Sequence, residues 1–246
     1  MGPPVRVRND PRQYDELAGE WWRPGGAFAM LHWIAEARAR LIPPARREGA
    51  VLVDVGCGGG LLAPHVAALG YRHVGVDLTT SALQQAAERG VAVLRGDATA
   101  LPLPDGCADV VSAGEIFEHV PDLPAAVREA CRVLRPGGLL VADTVNATAL
   151  ARFLVVTVAE RVPGAAPPGI HDPELFVPPA RLVDLCARYG VVVRVRGLRP
   201  ATGPLLRWLV TRRGRVPMVP SRLTAVLYQA WGVRAADASR EATTDE

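Results

Sequence analysis

Between residues 50 and 143, short runs rich in Val, Leu and Ala alternate with longer stretches whose apolar residues recur at helical spacing. That alternation is the mark of repeated βαβ units and a parallel sheet. It predicts strands at 51–55, 73–77, 91–94, 108–112 and 138–143, joined by helices at 60–69, 79–89 and 122–134. Right-handed crossovers put those helices on both faces of the sheet, so the ligand crevice falls at the carboxyl ends of the strands. The expected fold class is α/β, a doubly wound, Rossmann-like, mostly parallel sheet with an antiparallel edge. Upstream, 13–20 and 26–41 read as helices on either side of the break Trp21-Trp22-Arg23-Pro24-Gly25, a helical lid placed to cover the crevice. Downstream, the pattern predicts a helix at 147–161, a Pro/Gly-rich loop at 162–169, a helix at 179–189, and antiparallel edge strands at 191–198 and 223–231. The expected division is a lid over 1–45, the main domain over 46–200, an edge strand with substrate-side elements over 201–234, and a frayed polar tail over 235–246.

Composition removes several function classes. With 246 residues, 49% hydrophobic and 22% charged, the chain buries one substantial core with appendages. A formal net charge of +3 is too small for the electrostatic footprint of a dedicated nucleic-acid binder, and small-molecule chemistry fits better. Every basic residue is arginine, which coding bias in a GC-rich genome explains; the cluster Arg207, Arg212, Arg213 and Arg215 is where such charge could meet an acidic surface. Cys57, Cys107, Cys131 and Cys186 are scattered without a Cys-x-x-Cys pair, pointing away from zinc or redox work and toward a reducing cytoplasm. No signal-like apolar run occurs in 1–11, and the longest apolar stretch, 153–159, falls short of the about 20 residues that span a bilayer.

The chemistry begins at Val51-Leu52-Val53-Asp54-Val55, which leads into Gly56-Cys57-Gly58-Gly59-Gly60. Glycines at a strand-to-helix turn let a ligand approach the backbone, and a helix N-terminus beyond them would favour an anionic group, carboxylate as well as phosphate. Nicotinamide dehydrogenases use the related G-x-G-x-x-G turn, but here Leu61 stands where that fingerprint wants its third glycine. Asp77 ends the next strand, where a carboxylate can accept from both hydroxyls of a ribose, and Asp97 follows the third, within reach of an adenine amino group. Each acid taken alone reads equally well as a helix cap.

Together these features resemble the class I S-adenosylmethionine-dependent methyltransferases, with Leu101-Pro102-Leu103-Pro104-Asp105, Asp109-Val110-Val111 and Leu134-Arg135-Pro136-Gly137-Gly138 standing where later motifs of that superfamily stand. Further marks resemble the ubiquinone-biosynthesis O-methyltransferase family, which methylates a hydroxyl of polyprenylated catechols. They are Tyr14-Asp15-Glu16-Leu17-Ala18 with Trp21-Trp22, Leu31-His32 with Arg38, Glu115-Ile116-Phe117-Glu118-His119-Val120-Pro121, and His171-Asp172 with Phe176 and Pro178. The chain departs from that family at 35–38 and at Gly169-Ile170, and its C-terminal part diverges. The resemblance implies a small aromatic acceptor and carries the S-adenosylmethionine-binding role onto Arg38, Asp54, Gly56, Cys57, Gly58, Asp77, Leu78, Asp97, Ala98 and Gly114.

A phenol with a pKa of about 10 lies roughly three units above neutral pH, about 4 kcal/mol, so a base or a metal is expected to activate it. Glu115, Glu118 and His119 sit at i, i+3 and i+4 and would share one face if the segment is helical. Two carboxylates and an imidazole suit a divalent cation, Mg²⁺ first, and the resembling family assigns such an ion to this run. The competing reading has Glu118 and His119 merely organising the loop, with His119 the general base, Glu115 beside it, and His171 the second candidate base. The apolar segment 149–161, charged near its ends, reads either as a membrane-surface contact for a lipid-tailed acceptor or as ordinary core packing. A methyltransferase for another aromatic or polyketide hydroxyl and a cofactor-binding scaffold without catalysis are the rival functions.

Overall fold

The computed structural model describes residues 8–236. The readings made for residues 1–7 and for the tail beyond 236 lie outside the described residues. Five strands run parallel: β1 (Val51–Val55), β2 (Arg72–Asp77), β3 (Ala92–Arg95), β4 (Ala108–Gly114) and β5 (Leu134–Val145). Three more, β6 (Val191–Pro200), β7 (Met218–Ser221) and β8 (Leu227–Arg234), pair antiparallel. They form one sheet in the order β3-β2-β1-β4-β5-β8-β6-β7. The helices are α1 (Arg12–Glu16), α2 (Ala29–Ala39), α3 (Ala63–Val66), α4 (Thr80–Ala87), α5 (Leu123–Val133), α6 (Ala149–Ala151), α7 (Pro179–Arg188) and α8 (Thr202–Thr211). This is the doubly wound α/β architecture that the alternating pattern predicts.

Alternation along the central strands decides what the site is made of. Val53, Val55, Val111, Ala113, Leu140 and Ala142 pack on one face beneath α5 and α7. Leu52, Val110 and Val141 pack on the other, against Ala39 of α2. Continuing that parity toward the strand ends puts Asp54, Ser112, Gly114 and Asp143 on the α2 face. Both faces are covered, which is why the central strands are apolar through most of their length.

Four local expectations change. The helix expected at 60–69 is a turn followed by the four residues of α3 and a 3₁₀ turn, because Gly60 takes a φ of 78° that no right-handed helix admits. The strand expected at 138–143 begins at Leu134, with a register shift opposite Ala108–Val110. The single helix expected at 147–161 is α6, a π-helical stretch Arg152–Val158 and a 3₁₀ turn, as a β-branched run holds α-helix poorly. The last strand starts at Leu227 and lies inside the sheet between β5 and β6; α8 and β7, which the pattern does not predict, complete the antiparallel end. No helix among the described residues is long and apolar enough to cross a membrane.

Candidate active site

The carboxyl ends of β1, β2, β3 and β4 open on a cavity of about 860 Å³. Every position proposed for the cofactor lines it, from Arg38 and Asp54 through Gly56, Cys57, Gly58, Asp77, Leu78, Asp97 and Ala98 to Gly114. Gly58 takes a φ of 51° and turns its N–H onto Asp77 Oδ2 at 2.9 Å, while Asp77 Oδ1 accepts from the Thr79 N–H at 2.8 Å. One carboxylate thus ties the glycine loop to the start of α4 and keeps lone pairs for a ligand. Burial pushes Asp77 upward and the two N–H bonds hold it back. Asp97 is exposed and closes a local turn, its Oδ1 taking the Thr99 N–H and hydroxyl, both at 2.8 Å. The buried Cys57 thiol is pushed well up by burial, so it serves as wall rather than nucleophile.

The Trp21-Trp22 break lies directly on this loop. A Cβ at Gly58 would come within 2.5 Å of the Trp21 ring, which stacks on Phe28 at 4.1 Å, and Trp22 Nε1 donates to the Gly59 carbonyl at 2.8 Å. Trp21 Nε1 itself is buried with no partner.

In the cavity wall a guanidinium sits among acids. Arg38 Nη1 donates to Asp143 Oδ1 at 2.7 Å, both side chains buried. Burial opposes the Arg38 charge, but the carboxylates of Asp143, Asp54 and Glu115 outweigh it. Gly114 makes the arrangement possible: on the α2 face of β4, a Cβ there would stand 1.6 Å from Arg38 Nη1. Arg38 Nε, Asp143 Oδ2 and Glu115 Oε1 are buried and unpartnered. Unsatisfied groups of both signs in one place are what a zwitterionic ligand would satisfy.

The acceptor end departs from the expected geometry. Glu115 has a φ of 51°, its N–H donating to the Asp143 carbonyl at 2.9 Å, and only Phe117–His119 form a 3₁₀ turn. The i, i+3, i+4 face therefore does not form. Glu118 points inward and takes the Thr144 hydroxyl at 2.7 Å, whereas His119 Nδ1 meets Asn9 Oδ1 at 2.7 Å. Glu115 and His119 line the cavity and Glu118 does not. Among the described residues no three His, Cys, Asp or Glu side chains gather as metal ligands, so the expected cation triad does not fit this geometry.

Burial and then the Glu118 carboxylate push Glu115 well above the carboxylate range; burial likewise raises Glu118. Burial, then the charge of His171, brings His119 down to about 3. Sequence reasoning missed Asn9 and Asp143, which reach the site from far along the chain. Only Asp143, an acid at a strand end, carried the signal that marked Asp54 and Asp77.

Residues 53–142 match the family model described as a methyltransferase domain. A ubiquinone biosynthesis O-methyltransferase of Cupriavidus pinatubonensis is 37% identical over 211 residues, covering 80% of this chain and 84% of that protein. The chain belongs to the ubiquinone biosynthesis O-methyltransferase family. It is thus a class I S-adenosylmethionine-dependent methyltransferase. The protein of that name from Methylobacterium nodulans is 36% identical, covering 78% and 84% of the two chains. In fold, the chain is similar to an S-adenosylmethionine-dependent methyltransferase of Thermotoga maritima, a possible histamine N-methyltransferase, at TM-score 0.62 and 20% identity over 91% and 95% of the two chains. It is also similar to the [4+2]-cyclase SpnF at TM-score 0.59 and 16% identity, over 96% and 98%. At such identities the likeness concerns fold alone, and chemistry has to be argued from the site.

Proposed function

We propose that this family member methylates a phenolic hydroxyl of a catechol-like quinone precursor bearing an apolar tail. The observation that carries the reading is the continuity of one cavity. From Asp77, Arg38 and Glu115 it runs past His119 and His171 into an apolar limb formed by Leu154, Val155, Leu205, Trp208, Met218 and Leu227. S-adenosylmethionine supplies an electrophilic methyl carbon on a sulfonium centre. Arg38, the glycine loop, Asp54 and Glu115 are assigned its amino-acid end, and Asp77, Leu78, Asp97 and Ala98 its nucleoside. The chain's contribution is to align the acceptor oxygen with that carbon, exclude water under Trp21 and Trp22, and receive the phenolic proton.

Calorimetry should show S-adenosylhomocysteine binding and no NAD binding, with Asp77→Ala weakening the former at least about tenfold, the equivalent of 1.4 kcal/mol. A farnesyl-substituted catechol should show a KM at least about tenfold below that of catechol itself, since each buried methylene is worth about 0.8 kcal/mol. Methylation of neither compound by the wild-type chain would sink the acceptor assignment. No step runs through a cation here, and EDTA tests that directly: turnover should persist, and its loss with restoration by Mg²⁺ would reinstate the metal.

Leu150, Phe153 and Val158 of the 149–161 segment are exposed, as are Leu206 and Val210 of α8, which also carries Arg207, and the two segments contribute to one buried cluster. These elements also wall the apolar limb, which favours a cytoplasmic enzyme drawing its acceptor from a lipid surface. Sedimentation with anionic vesicles should retain the wild-type chain, and Phe153→Asp should release most of it; equal sedimentation of both would remove the membrane contact.

A further inference from the structure

Two imidazoles face the acceptor end of the cavity, and the chain holds them differently. The rings of His119 and His171 lie 5.4 Å apart, tilted by 30°, and both line the cavity. Tyr14 meets His119 edge-on at 6.3 Å, and Phe176 meets His171 edge-on at 6.3 Å. Asn9 fixes His119, its amide oxygen at Nδ1 and its amide nitrogen donating to the His119 carbonyl at 2.8 Å. An amide carries no charge, so nothing at Nδ1 would balance an imidazolium there. With burial and the neighbouring His171 both opposing protonation, His119 stays neutral.

His171 has a carboxylate behind it. Glu160 Oε1 lies 3.4 Å from His171 Nδ1, within ion-pair reach, and Nδ1 is buried without an aligned hydrogen bond; catalytic contacts of this kind often tighten only once an acceptor is bound. Glu160 is itself held on several sides. Its Oε2 accepts the Gly169 N–H at 2.9 Å, its Oε1 the His171 N–H at 3.3 Å, and Arg8 Nη2 donates at 2.6 Å while the same guanidinium reaches the His171 carbonyl. Burial alone would raise this carboxyl, but the bonds from His171, Gly169 and Arg8 bring it down to about 2, so it is charged whenever the enzyme works. Glu160 is outside the cavity lining, on the far side of His171 from the acceptor.

We propose that His171 is the general base of the reaction, with Glu160 its positioning residue and His119 a neutral hydrogen-bonding partner for the acceptor. The inference rests on the hydroxyl-methylation reading above. Glu160 holds the Nδ1 proton and leaves the Nε2 lone pair for the acceptor. As the acceptor oxygen forms its bond to the methyl carbon, its proton passes to Nε2. The carbon–sulfur bond breaks with its electron pair remaining on sulfur, giving the thioether. The imidazolium is balanced by Glu160 until the proton leaves for solvent.

The first test needs no acceptor. ¹⁵N spectra of the full chain should show neutral His171 carrying its proton on Nδ1 in the wild type, and Glu160→Gln should shift the balance toward Nε2. An unchanged tautomer in Glu160→Gln overturns the dyad. The second uses a farnesyl-substituted catechol. His171→Gln should lower kcat by about 10²–10⁴-fold with KM and S-adenosylhomocysteine affinity retained. Glu160→Gln should also lower kcat, and Glu160→Asp should recover part of the loss. Wild-type kcat in His171→Gln overturns the assignment; if that variant fails to bind S-adenosylhomocysteine, His171→Asn takes its place. A wild-type chain that methylates no phenol would instead sink the acceptor reading, while the tautomer measurement would still report on the dyad.

Discussion

Gly114→Ala is expected to destabilise the chain by about 3–5 kcal/mol, the cost of breaking a buried ion pair by displacing one partner. The same change is expected to abolish S-adenosylhomocysteine binding. The added methyl would stand 1.6 Å from Arg38 Nη1, so the guanidinium must leave. Flexible side chains usually yield to such a contact. Here the guanidinium is buried and bonded to Asp143, and its departure leaves the buried Asp143 without its partner and removes a positive charge from beside Asp54. Urea denaturation and calorimetry read the two effects. Arg38→Met combined with Gly114→Ala should cost much less than the sum of the single changes, because both remove the same pair. Wild-type stability and affinity in Gly114→Ala would show that Arg38 is not fixed by this contact.

That contact also shows where sequence reading reaches and where it stops. The parallel strands, the glycine loop and the acids at strand ends are legible because period-two burial and turn chemistry are local properties. Glu115-x-x-Glu118-His119 has helical spacing too, yet Glu115 departs from helix because its N–H continues the β5 pairing onto Asp143. A tertiary hydrogen bond therefore outweighs a local period, and the metal triad read from that period dissolves with it. Arg38 with Asp143, Asn9 with His119 and Arg8 with Glu160 are each more than a hundred residues apart. No window of sequence contains both partners. In sequence Glu160 is one of the charges near the end of the apolar 149–161 segment, and Asn9 belongs to a stretch with no motif of its own. The region after Pro200 resisted for another reason: Gly203, Pro204, Gly214, Pro217 and Pro220 interrupt every period there, and α8 is held by packing of Trp208 on Trp33 rather than by its pattern.

The acid cluster is expected to make the unliganded chain less stable as pH rises through neutrality. Burial raises Glu115 well above its ordinary range, Glu118 to about 7, and Asp143 to about 6 despite Arg38. In the unfolded chain these groups titrate near about 4. The folded state therefore holds protons that the unfolded state has released, and their contribution to stability, complete below pH of about 4, is lost as pH rises toward about 7. Each proton so held gives a slope of about 1.4 kcal/mol per pH unit inside that window. Glu160 acts in the opposite sense, supporting the fold above the ordinary carboxylate range and failing as pH falls toward about 2. Thermal midpoints of the unliganded chain should accordingly fall between pH 5 and 8, and Glu118→Gln should flatten the decline. A zwitterionic ligand brings an ammonium to the same carboxylates, so binding S-adenosylhomocysteine should release protons near pH 6, measurable in buffers of different ionisation enthalpy. A flat pH profile, or binding without proton release, would mean that these acids are already ionised and balanced in the empty site, and the role assigned to Arg38 as a counter-charge to them would have to be given up.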